Sequence, residues 1–329
     1  MSVIRTVRLS YLLPALALLG GCGGGSSVPS PAAASAPGLS DAPIMPGANH
    51  YGHDVFIVTS QLYGNDATVY KRNGFTLTYQ TTINYDISAP QGTVVTPNGW
   101  WYLTNGGHSN VLVYRIKKNS IPQYPSNVLD DYGQIPVDVA ATPDRNLVAV
   151  SNGTTTAGGA GSVSVYLSRQ SEPSRVLTYG TDQLVGEGVA IDHQGNCFWS
   201  FNDPNTNGGS IVEFPGCNGS GNLIISGLTN AQGIAFDQSG DLYYVDQPFG
   251  IYKCMKTSKC SLFVGDQYYF ALPTFINFDY KAKGLWVADA SGFLWGIDLK
   301  SKCNHGNPCV HKYQSVDGDP FGIAAVPGD

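Results

Sequence analysis

Two groups of oxygen-bearing side chains recur along this 329-residue chain at places where they could bind a ligand. Gln91, Glu187 and Gln232 stand two residues into short apolar segments that repeat along the sequence. Asn105, Asn152, Asn202, Asp246 and Asp289 stand just beyond a second set of apolar segments. Carboxylates and amide carbonyls are hard donors that suit Ca2+ or Mg2+, so a cation held among them is one reading. The other is structural, because Asn and Asp after a strand cap the local backbone through their own side chains. Glu187 is the more informative residue, since nothing in the repeating pattern calls for an acid there. No cofactor is demanded by any motif: Gly23-Gly24-Gly25 lacks the Lys and Ser/Thr of a phosphate loop, and GxSxG and HExxH are both absent. The histidines do not pair at ligand spacing, and His193 reads as a turn residue.

Seven cysteines form the other reactive set. Six of them, Cys197, Cys217, Cys254, Cys260, Cys303 and Cys309, fall in the second half of the chain. An even count outside the cytosol suggests disulfides, for which fifteen pairings are formally open. Proximity favours Cys197–Cys217, Cys254–Cys260 and Cys303–Cys309. The spacings do not resemble the paired CxxC of a zinc site.

The seventh, Cys22, belongs to a different kind of segment. Arg5 and Arg8 precede an apolar stretch over 9–19, too short to span a bilayer, which ends Leu19-Gly20-Gly21-Cys22. This resembles the lipobox of bacterial lipoproteins. The resemblance implies a signal peptide over 1–21, acylation of Cys22 as the first mature residue, and an extracytoplasmic, membrane-anchored protein. Two or three acyl chains anchor stably where one does not. Gly23 after the cysteine implies the outer membrane if the host is Gram-negative. Residues 22–49 are Gly, Ser, Pro and Ala with almost no charge, a composition that buries no core and reads as a flexible tether.

The elements that must position the oxygen donors follow from a repeat over 50–329. Opening segments such as Gln232-Gly233-Ile234-Ala235 recur from Gly92 to Asp138, Gly188, Gly233, Phe275 and Gly322 at spacings of 46, 50, 45, 42 and 47 residues. A period in the forties is that of propeller blades. Each opening strand leads through a turn to a second strand that is apolar on both faces, as expected between packed sheets. The domain ends on an opening strand over 321–326 and begins on a second strand over 54–59, so the last strand should pair with the first and close the ring. The fold expected is all-β: six blades of four antiparallel strands.

The units Gln232–Asp237 with Gly240–Asp246, supported by Gly188–Asp192 and Leu285–Asp289, resemble NHL repeats and the six-bladed propellers of the SMP-30/gluconolactonase group. The resemblance implies that the two groups of oxygen donors face a central channel. In the SMP-30-like enzymes a Glu with Asn and Asp residues holds a metal that acts as a Lewis acid. Two functions stay open. One is a binding or scaffolding module for a protein, glycan or small molecule; the other is a metal-dependent hydrolase or lactonase with Glu187 as a ligand. Nucleic acid is disfavoured, because a net charge of −6, with no basic patch, cannot neutralise phosphates.

Overall fold

Alternating runs of β-branched and aromatic residues, punctuated by Gly, Asn and Asp turns, dictate short strands, and the described residues form twenty-four of them. The structure is a computed structural model that describes residues 56–327 except 118–119, 181–182, 266–268, 281–282 and 304–307. Cys22 and the segments read as leader and tether lie outside the described residues.

Six antiparallel sheets of four strands make up the ring. The first blade joins β24 (Pro320–Val326) to β1 (Phe56–Gln61), β2 (Asp66–Asn73) and β3 (Thr76–Ile83). The second runs β4 (Thr93–Val95), β5 (Trp100–Asn105), β6 (Asn110–Arg115) and β7 (Asn127–Asp130). The third runs β8 (Gln134–Ala141), β9 (Leu147–Thr155), β10 (Ser162–Leu167) and β11 (Arg175–Leu177). The fourth runs β12 (Val185–Ile191), β13 (Cys197–Asp203), β14 (Gly208–Phe214) and β15 (Asn222–Leu228). The fifth runs β16 (Ala231–Phe236), β17 (Leu242–Asp246), β18 (Gly250–Met255) and β19 (Ser258–Gly265). The sixth runs β20 (Pro273–Phe278), β21 (Gly284–Asp289), β22 (Phe293–Lys302) and β23 (Pro308–Gln314). The expected closure is present: β1 pairs with β24 in the register Phe56↔Val326 to Gln61↔Pro320.

Apolar layers lie between blades, one at each of the six interfaces, including the one between the sixth blade and the first. Trp101, Trp199 and Trp286 on the second strands are fully buried in them. Burying one large apolar side chain contributes about 1.5–3 kcal/mol, against about 0–1 kcal/mol for an exposed ion pair, so these layers hold the blades together. The turns between opening and second strands repeat for a local reason. Asp237 Oδ1 accepts from the N–H groups of Ser239 and Asp241, and Asp192 Oδ1 does the same for Gln194 and Asn196. All three expected disulfides are present: Cys197–Cys217, Cys254–Cys260 and Cys303–Cys309.

Candidate functional site at the axis

The opening strands β4, β8, β12, β16, β20 and β24 are innermost, and each contacts the opening strand of the next blade around the ring. They approach so closely that the repeated glycine is needed. A Cβ on Gly188 would fall 2.8 Å from the Gln232 carbonyl oxygen and 2.9 Å from the Gly233 Cα; one on Gly233 would fall 2.6 Å from the Phe275 Cα. Three of these strands, β12, β16 and β20, also carry an irregularity near their start. Pairing skips between Gly186 and Val189, between Ala231 and Ile234, and between Pro273 and Ile276. Glu187, Gln232 and Thr274 sit in these skips, where a bulge redirects a side chain away from the ladder.

Opening strands begin, and second strands finish, at the same end of the ring, called here the entry end. Glu187 lies there, deep in the protein yet partly accessible. Its Oε1 accepts from Asn202 Nδ2 at 3.2 Å. Asn202 is the hub of a network: its Nδ2 also donates to Asn230 Oδ1 at 2.8 Å and to the Ala231 carbonyl at 3.0 Å, and its Oδ1 accepts from Ala231 N–H at 2.8 Å. Asn230 in turn donates to Gln247 Oε1 at 3.0 Å and accepts from Gln232 Nε2 at 3.2 Å. Glu187, Asn202 and Gln232 are therefore brought together.

The remaining singled-out residues turn toward their own loops. Asp246 Oδ1 accepts from Thr229 and Asn230 N–H. Asp289 spends both oxygens on Ala271, Leu272 and Ser291 N–H, the Ser291 hydroxyl and Trp295 Nε1. Asn105 Oδ1 accepts from Ser88 N–H, and its Nδ2 donates to the Asp86 carbonyl and to Asn110. Asn152 donates to Ser162 and Ser164, leaving its buried Oδ1 without a protein partner. Gln91 is partly accessible, and its backbone N–H is held by Thr104 Oγ1.

A residue that the motif pattern passes over completes the axial site. Asp138 occupies the glycine position of the third blade and is only 6% exposed. Its Oδ2 accepts from Val189 N–H of the next blade at 2.9 Å, and its carboxylate fits against Gly92 of the preceding one, where any Cβ would collide with it. Burial pushes the Asp138 carboxyl up to about 8, against the lowering effect of the Val189 and Val139 N–H groups. Glu187 is also pushed up to about 8: burial is the main cause, the Asn202 hydrogen bond opposes it, and the charge of Asp138 adds to it. In the sequence Asp138 is an acid where the five sister blades of the ring place Gly or an aromatic, but the partners that give it meaning lie in other blades.

As a metal site this set is incomplete. The bond from Ala231 N–H fixes the Asn202 amide so that its NH2, not its oxygen, faces Glu187. Among the described residues no three His, Cys, Asp or Glu side chains converge as ligands. At the opposite end of the ring, a pocket of about 150 Å3 is lined by Val95, Phe236, Phe278 and His193, whose Nε2 lies 3.2 Å from the Asp237 carbonyl.

No family model matches the chain, and no curated protein matches its sequence. Solved structures share its fold. A chain of a nidogen/laminin complex superposes with a TM-score of 0.61 at 14% identity, over 82% of this chain and 98% of that one. A chain of Kuenenia stuttgartiensis hydrazine synthase gives 0.58 at 13% identity, over 82% and 86%. Regucalcin from Agrobacterium tumefaciens, described as a calcium-binding protein, gives 0.52 at 12% identity, over 72% and 78%. At such identities the likeness is one of fold: this chain is a six-bladed β-propeller.

Proposed function

We propose that this propeller is an extracytoplasmic, membrane-tethered binding module whose ligand surface is the entry end of the ring. The observation that carries the reading is the connected amide and carboxylate network Glu187–Asn202–Asn230–Gln247 beside Gln232, set below loops that expose Tyr63, Tyr132 and Phe249. Large aromatic side chains held in solvent around a polar, preorganised centre are the makings of a recognition surface. The nidogen/laminin neighbour, part of a protein–protein complex, supports the use of such a ring for protein binding by analogy of fold. The lipobox-like Leu19–Cys22 supports the membrane tether.

Two measurements test this. Cys22→Ala should move the protein from the membrane fraction to the soluble fraction. A photo-crosslinking residue substituted for Tyr132 or Phe249 should form adducts in intact cells, while one substituted for Leu223 or Met255, away from that surface, should not. The reverse pattern overturns the reading.

A metal-dependent hydrolase of SMP-30 type is the second reading, favoured by the carboxylates of Asp138 and Glu187 at the axis and by the calcium-binding neighbour. The orientation of the Asn202 amide counts against it. Metal analysis of protein purified without chelator, with a lactone and ester panel, decides. A stoichiometric divalent ion that disappears in Glu187→Ala would establish this reading; no ion and no turnover would remove it.

A further inference from the structure

The two ends of the ring differ in charge as well as in shape. Among the described residues every Lys and Arg except Lys312 lies in the half away from the entry end: on the late parts of third strands, as with Arg72 and Lys253, or on the turns below, as with Arg145 and Lys283. Lys312 rests its ammonium 3.6 Å from the centre of the Phe293 ring on an outer strand. The entry end instead collects Asp66, Asp86, Asp203, Asp317 and Asp319 on its loops and strand ends, above the buried Asp131, with His108 beside Asp86. The field is felt within the site: Asp66 is pushed up to about 6 by burial and by the charge of Asp317, and its Oδ1 is buried without a hydrogen-bond partner.

Large aromatic side chains stand exposed on the same end. Tyr63 is 67% exposed, Tyr132 78% and Phe249 49%, on loops of different blades. A carboxylate-rich surface that also offers aromatic faces is chemically matched to ammonium and guanidinium groups, which gain both Coulomb and cation–π attraction. The spread of the aromatics over several blades suits an extended partner.

We propose that the entry end docks a Lys/Arg-rich polypeptide. The proposal rests on the binding-module reading and names the partner's chemistry. A second copy of this chain would offer three of its cations already engaged at home, and the test below tells such a copy from a separate polypeptide. Arg72 pairs with Asp279 at 3.0 Å, Lys253 with Asp241 at 2.9 Å, and Arg145 lies 3.5 Å over the Trp100 ring.

Fluorescence anisotropy on the full chain tests it, using a labelled peptide with Lys at alternate positions and a matched peptide with Glu in their place. The Lys peptide should bind and the Glu peptide should not, with affinity falling steeply between about 50 and 200 mM salt. Asp317→Asn with Asp319→Asn should weaken binding about tenfold. Tyr63→Ala with Phe249→Ala should weaken it several-fold at unchanged charge, and Glu172→Gln at the other end should leave it unchanged. Equal binding of the two peptides overturns the proposal, as does an equal loss in Glu172→Gln. So does salt-sensitive self-association by sedimentation, which assigns the surface to a second copy. If photo-crosslinks map to the entry end while the Lys peptide fails to bind, the partner chemistry is wrong and the binding module stands.

Discussion

Asp138 and Glu187 set a sign for the pH dependence of stability. Each carboxyl is raised in the folded state to about 8, from ordinary values of 3.8 and 4.5. Between those limits the folded protein binds more protons than the unfolded chain, so stability falls as pH rises. The contribution is fully present below about pH 4 and is lost as pH passes through about 8. Asp131 and Asp66, each raised to about 6, act in the same direction over a narrower window. Glu187→Gln keeps an oxygen for Asn202 Nδ2 and removes the carboxyl whose ionisation burial and the charge of Asp138 oppose. Chemical denaturation should find this variant more stable than the parent at pH 8.5 and little changed at pH 5. Equal pH profiles would remove the coupling between the two carboxyls. Glu187 was legible in the sequence because the repeat does not require an acid there. Asp138 was not, because its value comes from Val189 and Gly92, residues far away in sequence that only the ring brings near.

At the scale of the element, the strands and turns could be read almost directly, since the rules that fix them are local. Asp192 and Asp237 close their own turns, and the second strands advertise burial by carrying apolar residues on both faces. The repeated glycine was visible as a pattern, but its cause, backbone against backbone at the axis, is a contact between blades. The roles of Asn105, Asp246 and Asp289 could not be separated from those of Asn202 by type alone, because loop capping and ligand binding use the same side chains. Covalent links follow the same local logic. Cys197 and Cys217 bracket the β13–β14 hairpin at a sequence separation of 20, and the other two pairs at a separation of 6. Loop-closure entropy makes the longest the most stabilising, at about 3 kcal/mol. Cys197→Ser with Cys217→Ser should therefore lower the unfolding midpoint in denaturant more than the equivalent double change at Cys254 and Cys260. The opposite order would place the stabilisation in native packing.

For the whole molecule, ring closure decides how load is carried. The first described residue, Phe56, opens β1 at the end opposite the acidic, aromatic surface, and β1 is hydrogen-bonded on both sides, to β24 and to β2. A membrane tether attached ahead of Phe56 and a partner held at the entry end would pull in opposite directions along this strand. Such tension would act parallel to two ladders at once, so their hydrogen bonds would have to break together in shear instead of peeling away one by one. The strand that completes the ring would thus also be its mechanical lock. A propeller hung from its first strand in this way would transmit force between membrane and partner without opening its axis.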